Sequence, residues 1–326
     1  MNKKRKNIID LNEISELRTY TLNGFEQKVL IEGRKKTNPI VIFLHGGPGS
    51  PIPFCEGCRG MFPELTERFI MVYWDQLGCG INNRIIDDTF SIDSFVKMTI
   101  DLVKQIKDEF KQNEINLFGV SWGSILAART AEEIPELIHN VIVYGQVLKQ
   151  LIFNDEIFKA LFNSNMPKKN KDKLSAMNQA SEHTSEDGKT IMKWANKYTD
   201  GYQSKSGGKT PMGKIIGGLL TSPDYSFKDF KAMVINGYIK NTSLMKELIK
   251  IDLSETLQKI TIPYYILQGN TDLVTPTKII SEFIKKSENN NLHYIPVNNS
   301  SHIPSAEGMN ICLLYTSPSP RDRSVS

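Results

Sequence analysis

The five residues Gly119-Val120-Ser121-Trp122-Gly123 constrain this chain more than any others. They spell G-x-S-x-G, a pattern that occurs by chance in many long chains. Here an apolar β-type run, 115–118 (INLF), leads straight into it and a helical pattern, 122–133, leads straight out. A strand that turns at once into a helix needs glycines flanking the turn, and the turn pushes the serine side chain out at the carboxyl end of the sheet. Such a serine is a candidate nucleophile, provided that a base can take its proton.

The surrounding pattern fits a strand of a parallel sheet. Residues 17–44 read as a hairpin, with a turn at Asn23-Gly24, leading into a buried strand; 69–74 (FIMVYW) is a further β-rich run. Residues 92–110 place Phe95, Met98, Leu102, Val103, Ile106 and Phe110 at helical spacing, Pro135 marks the exit of the next helix, and 141–144 is another strand. The rhythm breaks over 148–253, which is helical and loop-like and rich in Lys, Asn and Met. It resumes with a strand at 262–267, a helix at 276–286 and a strand at 292–295. The expectation is an α/β fold of the α/β-hydrolase type: a mostly parallel sheet, helices on both faces and an inserted, mainly helical cap. Residues 1–147 and 254–311 would form the catalytic domain and 148–253 the cap.

That fold calls for the chain order serine, acid, histidine. The loop after 262–267 (QGNTDLVTP) supplies Asp272, and the loop after 292–295 (NNSSHIPS) supplies His302. Asp272 would hold the imidazole of His302 in the right tautomer and stabilise its cation. His45 opens a different motif, His139 follows the nucleophile helix, His183 lies in the cap and His293 lies inside a strand. Asp252 and Glu307 lie outside the expected acid loop. A glycine-rich turn, His45-Gly46-Gly47-Pro48-Gly49, follows the buried strand IVIFL. Such a turn can aim a backbone N–H at an oxyanion beside the serine, with the N–H of Trp122 as second donor.

Composition sets the remaining bounds. With 326 residues, 40% hydrophobic and 23% charged, the chain is an ordinary globular one, and a net charge of +4 is too small for a nucleic-acid binder. The basic clusters at 3–6 and 168–173 read as solvated surface or loose ends. No signal-peptide core and no membrane-length apolar run is present, so a cytoplasmic setting without membrane attachment is expected. Four cysteines include one C-x-x-C, Cys55 and Cys58, in a loop rich in Pro and Gly. No second pair exists for a zinc ribbon, and free loop thiols are expected, with Cys79 near them. Residues 207–214 resemble a phosphate-binding loop, but Gln203 stands where its first glycine belongs. Neither metal nor cofactor is implied, and the oligomeric state stays open.

Taken together, HGGPGS, YWDQLGCG and GVSWGS resemble the proline iminopeptidase (prolyl aminopeptidase) family of α/β-hydrolases, whose segments are HGGPG, DQRG-x-G and GGSWG. The resemblance implies Ser121, Asp272 and His302 as a triad, the N–H groups of Gly47 and Trp122 as oxyanion hole, and release of an N-terminal residue, such as proline, from short peptides. Leu77 replaces the arginine of the family motif. The family's cap glutamates, which hold the substrate ammonium, have no residue-by-residue match; Glu182, Glu186, Asp200 and Asp224 are the cap carboxylates that could serve. An ester, lactone or small amide is the alternative substrate. The end of the chain, 312–322 (CLLYTSPSPRD), resembles the conceptual translation of a sequencing-library adapter. Native sequence is then expected to stop near Ile311, shortly after the start of a last helix at 304–310, leaving apolar surface uncovered.

Overall fold

The computed structural model describes residues 3–306 and 308, apart from 112, 150, 181–182, 207 and 209–211. The expected tail, and residues 307, 309 and 310 of the expected last helix, lie outside the described residues. Eight strands form one sheet: β1 (Ile14–Leu22), β2 (Phe25–Gly33), β3 (Ile40–Leu44), β4 (Ile70–Tyr73), β5 (Ile115–Val120), β6 (Asn140–Tyr144), β7 (Tyr264–Gly269) and β8 (Leu292–Val297). Their order is β1-β2-β4-β3-β5-β6-β7-β8. The first two pairings, β1 with β2 and β2 with β4, are antiparallel, and every later pairing is parallel. The β1–β2 hairpin closes at Asn23 and Gly24, which take φ of 49° and 80°, the left-handed pair that a two-residue hairpin loop requires.

Strand alternation sorts the apolar residues onto two faces. Ile40, Ile42, Leu44, Leu117, Val141 and Ile266 join one buried cluster with helices α3 (Ile92–Glu109) and α4 (Trp122–Glu133). Val41, Phe43, Phe118, Ile142, Tyr144 and Leu267 join the other. Helix α3 buries Phe95, Met98, Leu102, Val103 and Ile106, and Ser91 and Ser94 cap its start reciprocally. Helix α4 presents Ala127, Ala128 and Ala131 inward, which lets it approach the sheet closely.

The chain leaves the sheet after β6 and returns at β7. Leu253 N donates to Leu148 O at 2.9 Å where the two ends of the insertion meet. Helices α5 (Asp155–Asn163), α6 (Lys168–Gln179) and α7 (Ser185–Tyr198) share their own apolar cluster, built on Phe158, Leu161, Leu174 and Trp194. Helices α8 (Met212–Leu220) and α9 (Phe227–Lys231) follow, then α10 (Thr242–Lys250). Ile215 and Leu219 of α8 pack on Cys55 and Cys58. Short helices α2 (Pro63–Thr66) and α11 (Ser254–Gln258) and helix α12 (Thr277–Lys286) complete the layers. No helix among the described residues is long and apolar enough to cross a membrane.

The first basic cluster is not a loose end. Residues Lys3–Asp10 form helix α1, and Arg5 is buried. Its guanidinium donates to the carbonyls of Arg59 (2.6 Å), Gly218 (2.6 Å) and Gly57 (2.8 Å). A planar fork with five donors can satisfy three carbonyls at once, which is why an arginine tolerates this burial. Cys55, Cys58 and Cys79 are free thiols, as expected, but all are buried. Cys79 lies 3.5 Å from His45 Nε2.

Candidate active site

In a parallel sheet all strands end on the same side, so the loops after β3, β5, β7 and β8 gather at one edge. Ser121 sits between β5 and α4 with φ 51° and ψ −115°, a conformation few non-glycine residues hold. The two glycines of the motif are there for space. A Cβ on Gly119 would meet Gly123 O at 2.6 Å, and one on Gly123 would run into Leu44 O. Ser121 N donates to Tyr144 O at 3.0 Å, which ties the turn to β6.

Asp272 is buried in the turn after β7 and is crowded with donors. Its Oδ1 accepts from the N–H groups of Val274 (2.8 Å) and Thr275 (3.0 Å). Its Oδ2 accepts from Thr275 Oγ1 (2.6 Å), Gln268 Nε2 (3.1 Å) and His302 Nδ1 (3.0 Å). A carboxylate only accepts, so the proton on the imidazole lies on Nδ1 and Nε2 keeps its lone pair. The histidine loop is held as firmly: Tyr144 Oη donates to Ser301 O at 2.6 Å, and Ser300 Oγ and Ser305 Oγ lie 2.9 Å apart.

Ser121 and His302 line one cavity of about 280 Å³, together with Gly46 and Gly47. Each of the two residues keeps about 8% of its surface exposed. The rest of the lining is mainly apolar: Phe43, Phe54, Phe118 and Val120 from the sheet and its loops, and Met192 and Met212 from the insertion. Tyr202 also lines it, with its ring centroid 6.0 Å from that of His302. Trp122 heads α4, where a first-turn N–H has no partner within the helix. Gly47 holds φ 119°, which favours glycine, and a Cβ there would meet Gly49 N at 2.6 Å.

A match to the family model for the alpha/beta hydrolase fold spans residues 39–308. The chain is an α/β-hydrolase. This hydrolase is 24% identical over 305 residues to the probable aminopeptidase YbaC of Bacillus subtilis (strain 168), covering 92% of this chain and 94% of that protein. It is 33% identical over 117 residues to a proline iminopeptidase of Heyndrickxia coagulans, a match covering 36% of this chain and 38% of that one. The proline iminopeptidase structure from Mycobacterium smegmatis superposes with a TM-score of 0.57 at 16% identity, covering 88% and 91% of the two chains. The VinJ structure superposes at 0.61 and 19%, covering 92% and 96%. These structures share the fold.

The remaining candidates fall elsewhere. His139 and His293 are surface residues of the hydrolase, and His183 stacks on Phe153 at 4.0 Å. Asp252 accepts from Ser254 N at 2.9 Å, outside the cavity lining. Of the carboxylates expected in the cap, Glu186 faces Lys189 (3.6 Å) and Asp200 faces Lys205 (3.5 Å) at the surface. Asp224 pairs with Arg59 at 2.7 Å. None of these three lines the cavity. Glu182 and Glu307 lie outside the described residues.

His45 is a structural histidine. It is fully buried, its Nδ1 bonds Gly46 O at 2.9 Å, and its Nε2 accepts from Gln76 N at 3.0 Å. Burial holds its pKa down to about 4, against the opposing effect of the Gly46 carbonyl, so the ring is neutral. Gln268 and Thr275, which fix Asp272, are marked in the sequence only by their places beside IPYYIL and Asp272, and Gln76 only by its place within YWDQLGCG.

Proposed function

We propose that this chain is a serine hydrolase working through an acyl-enzyme, with Ser121 as nucleophile, His302 as base and Asp272 as its orienting carboxylate. The observation that carries the reading is the 3.0 Å bond from His302 Nδ1 to Asp272 Oδ2, which leaves Nε2 as the basic nitrogen in a histidine sharing its cavity with Ser121. Ser121 Oγ attacks the carbonyl carbon while His302 Nε2 takes its proton. The N–H groups of Gly47 and Trp122 receive the developing oxyanion. His302 then returns the proton to the departing amine or alkoxide, and water repeats the sequence to free the acid and the serine.

For the substrate, the names of the relatives favour a short peptide with a free N-terminal residue, such as proline. Helices α5 to α10 act as a cap, and Met192, Tyr202 and Met212 from it narrow the site to small molecules. A second reading, hydrolysis of an ester, lactone or small amide, is favoured by the mainly apolar lining, since a buried ammonium without a partner is costly. Three buried free thiols support a reducing, cytoplasmic setting.

Hydrolysis of prolyl anilide, N-acetylprolyl anilide and a simple acyl ester, with Ser121→Ala as control, tests both readings. Cleavage of the free-amine anilide alone supports the peptidase. Cleavage of the ester with both anilides untouched supports the second reading. Turnover that survives Ser121→Ala refutes the acyl-enzyme.

A further inference from the structure

The two proposed oxyanion donors stand on segments far apart in sequence, the turn after β3 and the start of α4. Their spacing needs a physical tie. The loop after β4 supplies one through Gln76, which is fully buried. Its backbone N–H donates to His45 Nε2 (3.0 Å) and its side-chain Nε2 donates to His45 O (3.3 Å). Its Oε1 accepts from Trp122 Nε1 at 2.7 Å. One side chain thus joins the residue two before Gly47 to the residue whose own N–H is the second donor. His45 is neutral, which leaves its Nε2 free to accept from Gln76 N.

We propose that Gln76 is a positioning residue that sets the separation of the Gly47 and Trp122 amides, and so the strength of the oxyanion hole. The inference rests on the serine-hydrolase reading above. An amide is required here. A glutamate would keep the acceptor for the indole but lose the donor to His45 O, and a methionine would lose both at similar volume. Misplacing a donor by a fraction of its bond length weakens the transition state far more than the ground state. The loss therefore falls on the chemical step and not on binding.

The test uses an alkyl 4-nitrophenyl phosphonate, which needs no knowledge of the natural substrate. Ser121 Oγ gives its proton to His302 Nε2 and forms a bond to phosphorus, 4-nitrophenolate leaves with the P–O pair, and the phosphoryl oxygen occupies the oxyanion position. Inactivation is followed by nitrophenolate absorbance for the wild type, Gln76→Met, Gln76→Glu, Trp122→Phe and the double variant Gln76→Met/Trp122→Phe. The maximal inactivation rate is expected to drop about 10- to 100-fold in Gln76→Met. The concentration for half-maximal rate and the midpoint of the pH profile should not move, because neither the pocket nor His302 is touched. The double variant should lose little more than Gln76→Met alone, because the indole bond that Trp122→Phe removes is already gone in Gln76→Met. A rate within twofold of wild type in Gln76→Met overturns the inference. If that variant does not fold, Trp122→Phe decides: it should show the same selective loss, and an unchanged rate overturns the inference. Labelling that persists in Ser121→Ala overturns the underlying reading, and the inference with it.

Discussion

Glu56 offers a stability prediction that needs only the direction of a pKa shift. The residue is fully buried next to Asp75. Its Oε1 accepts from Asp75 N (3.1 Å) and Asn82 Nδ2 (3.0 Å), whereas Oε2 is buried without a partner. Burial first, and then the neighbouring Asp75 charge, push its carboxyl well above the usual range; burial also raises Asp75 to about 6. The folded state therefore keeps a proton on Glu56 that the unfolded chain releases above roughly pH 4.3. The stability from this group is full below that pH and drains away as pH rises toward the folded value, by about 1.4 kcal/mol per pH unit. Above pH 5 the wild type should therefore lose stability steadily until the folded group releases its proton. Glu56→Gln keeps the Oε1 acceptor and has no proton to lose. Its stability relative to wild type should thus climb from pH 5 upward, by up to about 1.4 kcal/mol per pH unit, or roughly 2–3 °C in melting temperature per unit. Urea or thermal unfolding at pH 5, 6 and 7 measures this. A constant offset between the two proteins across that range would refute a protonated Glu56 in the folded state.

Three other outcomes follow from the same contacts. Arg5→Ala removes three charge-assisted bonds that join helix α1 to the 57–59 turn and to Gly218, and should cost about 2–4 kcal/mol in urea unfolding. Gly123→Ala drives a Cβ into Leu44 O and should leave little soluble folded protein, judged by gel filtration and circular dichroism. Asp272→Asn should keep the fold but lower kcat by about 10³- to 10⁴-fold, because the amide stabilises the wrong imidazole tautomer.

What was legible in the sequence depended on local chemistry. The turn at Ser121 could be read because its glycines stand between an apolar strand and a helix, and the hairpin because Asn23-Gly24 can take left-handed angles. Asp272 and His302 could be placed in loops because each follows a β-rich run, and the structure has them 3.0 Å apart. Buried polar residues were not legible. Arg5 sits in a run of lysines and reads as surface, yet the carbonyls that accept from it belong to residues 57, 59 and 218. Glu56, Asp75 and Gln76 look like ordinary loop polarity until Asn82, Tyr225 and Trp122 arrive from distant segments. The helices between β6 and β7 have short, irregular apolar patterns, so the sequence shows helical character there without showing which faces meet.

The proposed chemistry stands on Ser121 as a nucleophile that depends on His302. The most direct measurement is peptide-mapped mass spectrometry after treatment with a fluorophosphonate. A single adduct is expected on Ser121, absent in Ser121→Ala and slowed by at least about a thousandfold in His302→Ala. An adduct on another residue, or labelling of Ser121 that is as fast without His302, would contradict it.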